Sequence, residues 1–260
     1  MSGDSALRIV HVYPTVLGLY GDRGNALVLA SRAQRRGIAA ELVTVEPGER
    51  VPSAGDLYLL GGGEDLAQTT AVDLLRADGT LQAVVERDAI VFAVCAGMQI
   101  LGHTFAAASG IVAGLGLIDI DTRAGDTRAV GELLVMPTAL ALPVLTGYEN
   151  HNGRTTIGPT AQPLGNVECG IGNGDGSGHE GVVQGRVIGT YLHGPALARN
   201  AALADLLLAW AVGAPLAPLD DRTAVALREE RLRAARGAHH TPSRSRRNNI
   251  VSRVLHRKDV

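Results

Sequence analysis

Two residues of this chain have the types and settings that nucleophilic chemistry requires. Cys95 ends the apolar run "AIVFAV" (89–94) and is followed at once by "AGMQILG" (96–102). A nucleophile at a sharp strand-to-helix turn needs small neighbours, and Ala93, Ala96 and Gly97 supply them. The start of a helix just after Cys95 favours the thiolate, the reactive form of cysteine. The N–H of Ala96 would then face an oxygen developing negative charge. About a hundred residues later, His193 closes the β-branched and aromatic run in "IGTYLHGP" (188–195). A cysteine nucleophile needs a base that takes its proton and returns it to a leaving group, and histidine does both near neutral pH. Taken singly, a free cysteine is more often a small buried hydrophobe, and a lone histidine more often structural. The pairing is what favours chemistry. A third feature, "LLGGGED" (59–65), ends a strand in three glycines, whose amides can approach a ligand and furnish the other half of an oxyanion hole. It does not match GxxxxGK[ST], so a phosphate-binding loop is not indicated. Of the other histidines only His151, in the polar run "YENHNGRT" (148–155), has a setting worth following.

These residues need elements to place them. "LRIVHVY" (7–13) and "AAELVTVE" (39–46) have the pattern of strands, and "GNALVLASRAQRRG" (24–37) that of a helix ending near a glycine. The short apolar run "DLYLLGGG" (56–63) comes next. A helical stretch (71–88) with Gly79 as its break point leads to the strand before Cys95. Strands alternating with helices predict a mostly parallel, flavodoxin-like α/β sheet with helices on both faces, and such sheets bind ligands beyond the carboxyl ends of their strands. All three chemical features fall at such ends. The back half differs: 128–138, 166–172 and 180–194 are strand-like pieces between Gly/Asn/Asp-rich turns. A helix over 195–212 begins with proline.

With 46% apolar and 19% charged residues the composition is that of a soluble globular chain. No apolar run is long enough to span a bilayer, and "MSGDSALRIV" lacks the pattern of a secretory signal. Two cysteines, Cys95 and Cys169, form no disulfide framework, so a cytoplasmic location is expected, and no HExxH or paired CxxC spacing supports a metal site. The net charge of −2 hides a division: 11 Lys/Arg against 3 Asp/Glu from Arg222 onward, and 13 against 23 before it. Residues 1–213 are therefore expected to form the globular domain. Residues 214–260 are expected to be a linker and basic extension, disordered or ordered by a partner, with 237–249 the most polar part. The extension has no interleaved aromatics or recognisable module, so nucleic acid is not its expected partner.

The motifs "LGLYGDRGN" (17–25), "LLGGGEDLAQ" (59–68), "VCAGMQILG" (94–102), "DTRAVGEL" (126–133), "YENHNGRT" (148–155) and "GTYLHGPALARN" (189–200) together resemble class I glutamine amidotransferases of the cobyric-acid-synthase-like branch. Within it they are similar to the glutaminase subunits of lipid II isoglutaminyl synthases, over roughly residues 7–212. The resemblance implies that Cys95 attacks the side-chain amide of glutamine and that His193 serves as general base and acid. It also implies that amides of Ala96, Gly62 and Gly63 hold the oxyanion, and that Arg128 and Gln99 bind the substrate. It implies no cofactor in this chain. Ammonia would pass to a Mur-ligase-like (MurT-type) synthetase that uses ATP and Mg and amidates the α-carboxylate of D-glutamate in lipid II, at the inner face of the membrane. A glutaminase for corrinoid-type amidation, or a silent scaffold subunit, are the alternatives. The superfamily pattern has glutamate two residues after the histidine, but here that position is Pro195. Either Cys95 and His193 act as a dyad or an acid arrives from elsewhere, and the partner subunit is the expected source.

Overall fold

The computed structural model describes residues 6–18 and 21–240, the side chains of 238–240 excepted. Strand β1 (Leu7–Val12) leads through helix α1 (Arg23–Gln34) to β2 (Ala40–Val45) and β3 (Leu57–Leu60). Helices α2 (Asp65–Asp78) and α3 (Thr80–Val85) follow, then β4 (Ile90–Val94) and the short α4 (Ala96–Leu101). Gly79 separates α2 from α3 at φ +67°, a left-handed turn that glycine adopts freely, so the break falls where the sequence places it.

After α4 the chain makes β5 (Thr104–Ala107), β6 (Gly110–Ala113), β7 (Ile120–Pro137), β8 (Leu145–Ile157), β9 (Gly165–Cys169) and β10 (His179–Glu180). It then returns through β11 (Val182–Gln184) to β12 (Val187–Thr190). Two sheets result. The first has the order β11-β12-β4-β3-β1-β2, parallel except for the edge strand β11. Without that edge its order is the flavodoxin one, a doubly wound sheet whose crevice lies beyond the carboxyl ends of the strands. Strand β4 lies between β3 and β12 and is buried along its whole length, which explains its unbroken apolar sequence. Each such fully buried side chain contributes about 1.5–3 kcal/mol. The second sheet, β10-β9-β7-β5-β6 with β8 paired to β7, is mainly antiparallel and accounts for the changed character of the back half.

The helix expected over 195–212 is two helices, α5 (Ala196–Arg199) and α6 (Ala201–Val212). Asn200 between them leaves helical geometry because its side chain accepts from Thr146 N–H and donates to Thr146 O and Ala196 O. Gly213 caps α6 at φ +73°. The extension differs from expectation in its first part: Arg222–His240 form a helix, α7, lying against β7, β8 and β9. Leu232 and Ala235 pack on Leu134, Arg228 donates to Val144 O, and Arg236 pairs with Glu168. The rest of the extension, including most of 237–249, lies outside the described residues. No helix among the described residues is long and apolar enough to cross a membrane.

Candidate active site

Cys95 occupies the turn between β4 and α4 at φ 51°, ψ −110°, a conformation that an L-residue adopts only when its surroundings impose it. Here they do. Cys95 N–H donates to Thr190 O at the end of β12 (2.8 Å), and Cys95 O accepts from Gln99 N–H (3.0 Å). Gly97 lets the turn press onto β3: a Cβ there would lie 2.7 Å from Leu60 Cβ. The side chain is buried but lines a cavity of about 270 Å³.

His193 follows β12 and is fixed by a pair of backbone hydrogen bonds with Tyr148 of β8 (2.8 and 3.1 Å). Its Nδ1 faces a carboxylate of the same chain, 3.2 Å from Asp22 Oδ2 and 3.3 Å from Oδ1, and both side chains are buried. The chain itself thus places a carboxylate beside His193, where a dyad or an acid from the partner subunit was expected. Asp22 enters from the start of α1, where it would ordinarily cap the helix, yet it makes no side-chain cap. Pro195, which stands where the superfamily has its glutamate, packs on Gly24 so closely that a Cβ on Gly24 would lie 2.2 Å from Pro195 Cγ. Asn25 Oδ1 accepts from Leu197 N–H (2.9 Å). Thus "GDRGN" and "LHGPAL" lock together, and the contact at Pro195 brings the Asp22 carboxylate to His193.

Gly62 is the meeting point. A Cβ built on it would lie 2.9 Å from His193 Cε1, 3.2 Å from Asp22 Oδ2 and 3.6 Å from Cys95 Cβ. Its N–H donates to Asp22 Oδ2 (2.8 Å), so this amide, expected in an oxyanion hole, instead orients the acid. Among the described residues the amides of Ala96 and Gly63 have no protein acceptor, and Gly63 lines the cavity with Cys95. Burial by itself lowers the His193 pKa, but the hydrogen bonds with Asp22 and the Cys95 sulfur, with their charges, outweigh it and raise it to about 10.

Arg128 lies within the irregular stretch that interrupts β7 between Ala124 and Ala129, and lines the same cavity. Its Nε donates to Asn150 Oδ1 (2.5 Å), which aims the guanidinium along the wall. Gln99 also lines the cavity, but its amide is already engaged, accepting from Gln68 (2.8 Å) and donating to Tyr191 Oη (2.9 Å). His151 is buried in the wall, stacked on Tyr191 with centroids 3.6 Å apart. Cys169 lies away from this cavity on β9, where burial raises its thiol pKa. Sequence reasoning missed Asp22, although "LYGDRGN" was among the motifs it singled out. The signal available was an acid in the connection from β1 to α1, which leaves the carboxyl end of the strand beside β3 in the flavodoxin order.

Residues 8–201 match the family described as "CobB/CobQ-like glutamine amidotransferase domain". The chain is 34% identical over 211 residues to the lipid II isoglutaminyl synthase (glutamine-hydrolyzing) subunit GatD of Streptococcus pneumoniae, covering 79% of this chain and 80% of that one. It is 33% identical to the GatD subunit of Staphylococcus aureus, covering 78% and 83%. Cobyric acid synthase of Sphingopyxis alaskensis is 36% identical over 65% of this chain, but only 34% of that longer protein is spanned. A solved structure described as a glutamine amidotransferase superposes with a TM-score of 0.52 at 20% identity, over 78% of this chain and 98% of that one, which supports the fold.

Proposed function

The chain belongs to the CobB/CobQ-like glutamine amidotransferases and is a glutamine-hydrolysing enzyme subunit; on that premise we propose that Cys95, His193 and Asp22 perform the hydrolysis and that the ammonia serves the amidation of lipid II. The observation that carries the catalytic reading is the convergence of the three side chains on Gly62 beside a cavity lined by Arg128. The Cys95 sulfur attacks the side-chain amide carbon of glutamine, and the amides of Ala96 and Gly63 hold the oxygen that becomes negative. His193 gives its proton to the amide nitrogen, which leaves as ammonia from a γ-glutamyl thioester. Water, losing a proton to the same imidazole, then attacks the thioester and releases glutamate and the thiol. Asp22 keeps the proton of His193 on Nδ1, so that Nε2 serves the reacting atoms.

Arg128 binds the α-carboxylate of glutamine through its planar fork. Losing hydrogen bonds to a charged group removes about 1.5–3 kcal/mol, so Arg128→Ala is expected to raise KM about 10- to 100-fold with a smaller change in kcat. Steady-state kinetics check this, together with 4-aminobutanamide, which lacks the carboxylate and should be handled alike by both proteins.

The relatives' names support a subunit role, and the chain spans about four fifths of each GatD protein. In this reading ammonia passes to an ATP- and Mg-using, Mur-ligase-like synthetase, which amidates D-glutamate of the precursor in the cytoplasm at the inner membrane face. Co-purification with such a synthetase, followed by assay of glutamine-dependent amidation of lipid II, tests it. Activity supported by free ammonia but never by glutamine would reject this chain as the ammonia source.

A further inference from the structure

Glu180 is a carboxyl with no contact to solvent that the hydrolysis does not use. Its Oε1 accepts two hydrogen bonds, from Tyr191 N–H (2.7 Å) and Thr190 Oγ1 (2.9 Å). Among the described residues its Oε2 has no partner. Burial raises its pKa to about 7, against the two hydrogen bonds, which lower it. A buried acid with one unsatisfied oxygen is costly, so a residue there needs a reason. The reason is visible in what Oε1 holds. Thr190 O accepts Cys95 N–H, and Thr190 Oγ1 accepts Leu192 N–H (3.0 Å), one residue before His193. Tyr191 Oη meets Gln99 and Thr155, behind Cys95. The two residues that Glu180 fixes thus anchor the nucleophile's turn on one side and carry the base on the other.

We propose that Glu180 is a positioning residue for the hydrolysis: through Oε1 it fixes the Thr190–Tyr191 segment that sets the relation of Cys95 to His193. The inference rests on the glutaminase reading of the site. An amide oxygen can accept the same two hydrogen bonds, so Glu180→Gln preserves the device, whereas Glu180→Leu removes it and leaves two buried donors unpaired. Misplacement by a fraction of an ångström is enough to slow chemistry between fixed groups.

The test uses the full chain and two readouts, glutaminase kinetics and the rate at which iodoacetamide alkylates Cys95, read by mass spectrometry. Glu180→Leu is expected to lose kcat about 10- to 100-fold with KM within about twofold, and to slow Cys95 alkylation, while Glu180→Gln stays within about threefold of wild type in kcat. Wild-type kcat and alkylation rate in Glu180→Leu would overturn the proposal, as would a loss in Glu180→Gln equal to that in Glu180→Leu. Should Glu180→Leu not fold, Thr190→Val carries the test, since it deletes one of the two donors while keeping the shape of the side chain. It is expected to lose kcat about 5- to 10-fold, and a wild-type kcat would overturn the proposal. Alkylation needs no glutamine turnover: were the wild-type chain to hydrolyse no glutamine, slower alkylation in Glu180→Leu would support the positioning role while rejecting the glutaminase reading.

Discussion

Replacing Asp22 with asparagine is expected to lower the glutaminase kcat about 10²- to 10⁴-fold while KM stays nearly constant, the range set by what an orienting acid contributes in comparable triads. The argument is one of donors and acceptors. One carboxylate oxygen accepts Gly62 N–H at 2.8 Å, and the pair faces His193 Nδ1 at 3.2–3.3 Å. In Asp22→Asn the amide oxygen keeps the Gly62 contact, which turns the NH₂ group toward Nδ1. That nitrogen must then accept, so the ring proton moves to Nε2 and the imidazole can no longer take a proton on the side of Cys95. The fold should survive, because Asp22 makes no side-chain cap on α1 and asparagine has the same shape. A pH profile adds a second readout. The His193 pKa, raised from 6.5 to about 10 in part by Asp22, makes the folded state's gain from this contact full below about 6.5 and lost as pH rises through about 10. Asp22→Asn should therefore move the alkaline limb of kcat toward neutrality. A variant with wild-type kcat and an unmoved limb would remove Asp22 from the triad. Measuring the isolated chain beside its complex with a synthetase also separates an acid supplied within the chain from one supplied by a partner.

What could be read from the sequence follows from how locally each feature is encoded. The strand before Cys95 is a central strand buried on both faces, so its apolar run, its small neighbours and the abrupt change to "AGMQ" lie within a few residues of one another. The same holds for His193 at the end of β12. Asp22 is different. An aspartate just ahead of a helix ordinarily caps it, and only the three-dimensional contacts of Gly24 with Pro195 and of Asn25 with Leu197 reveal that its carboxylate turns away to His193. The local rule fails at the point where function uses the residue. The Gly62 amide, expected at the oxyanion, donates instead to Asp22, since which amide a neighbouring acid occupies is not encoded in a run of three glycines. The second sheet was legible only in pieces. The first half of β7 is mostly exposed and polar, so its strand pattern is weak, although its pairing with β8 extends through Val135. Helix α7 was hidden for a related reason. Among its described apolar side chains it buries only Leu232 and Ala235, and it is tied down by Arg228 and Arg236, a composition that by itself resembles a solvated tail.

Gly62→Ala is the change that should separate the site's geometry from its chemistry, because it removes no functional group. The methyl would sit 2.9 Å from His193 Cε1, closer than side-chain contacts allow, and a tight 3.2 Å from Asp22 Oδ2, and neither neighbour is the free end of a flexible chain. His193 is fixed by its two backbone hydrogen bonds with Tyr148, and Asp22 by the docking of α1 on the "HGPAL" segment. The imidazole must therefore tilt or the glycine loop must move away. Either motion lengthens the path between His193 and Cys95, or shifts the Gly63 amide from the oxyanion. A displacement of about 1 Å costs about 10²-fold in rate, so kcat is expected to fall by about that factor. Overpacking of a buried site costs about 1–3 kcal/mol in stability, which leaves most of the protein folded and makes the kinetic loss measurable. The useful contrast is Gly79→Ala, where nothing lies within 4 Å and φ is +67°. Forcing alanine into that left-handed turn should cost about 1 kcal/mol of stability and leave kcat unchanged. If Gly62→Ala instead behaved like Gly79→Ala, losing stability but not turnover, the close approach of Cys95, His193 and Asp22 around this glycine would not be the geometry in which the enzyme works.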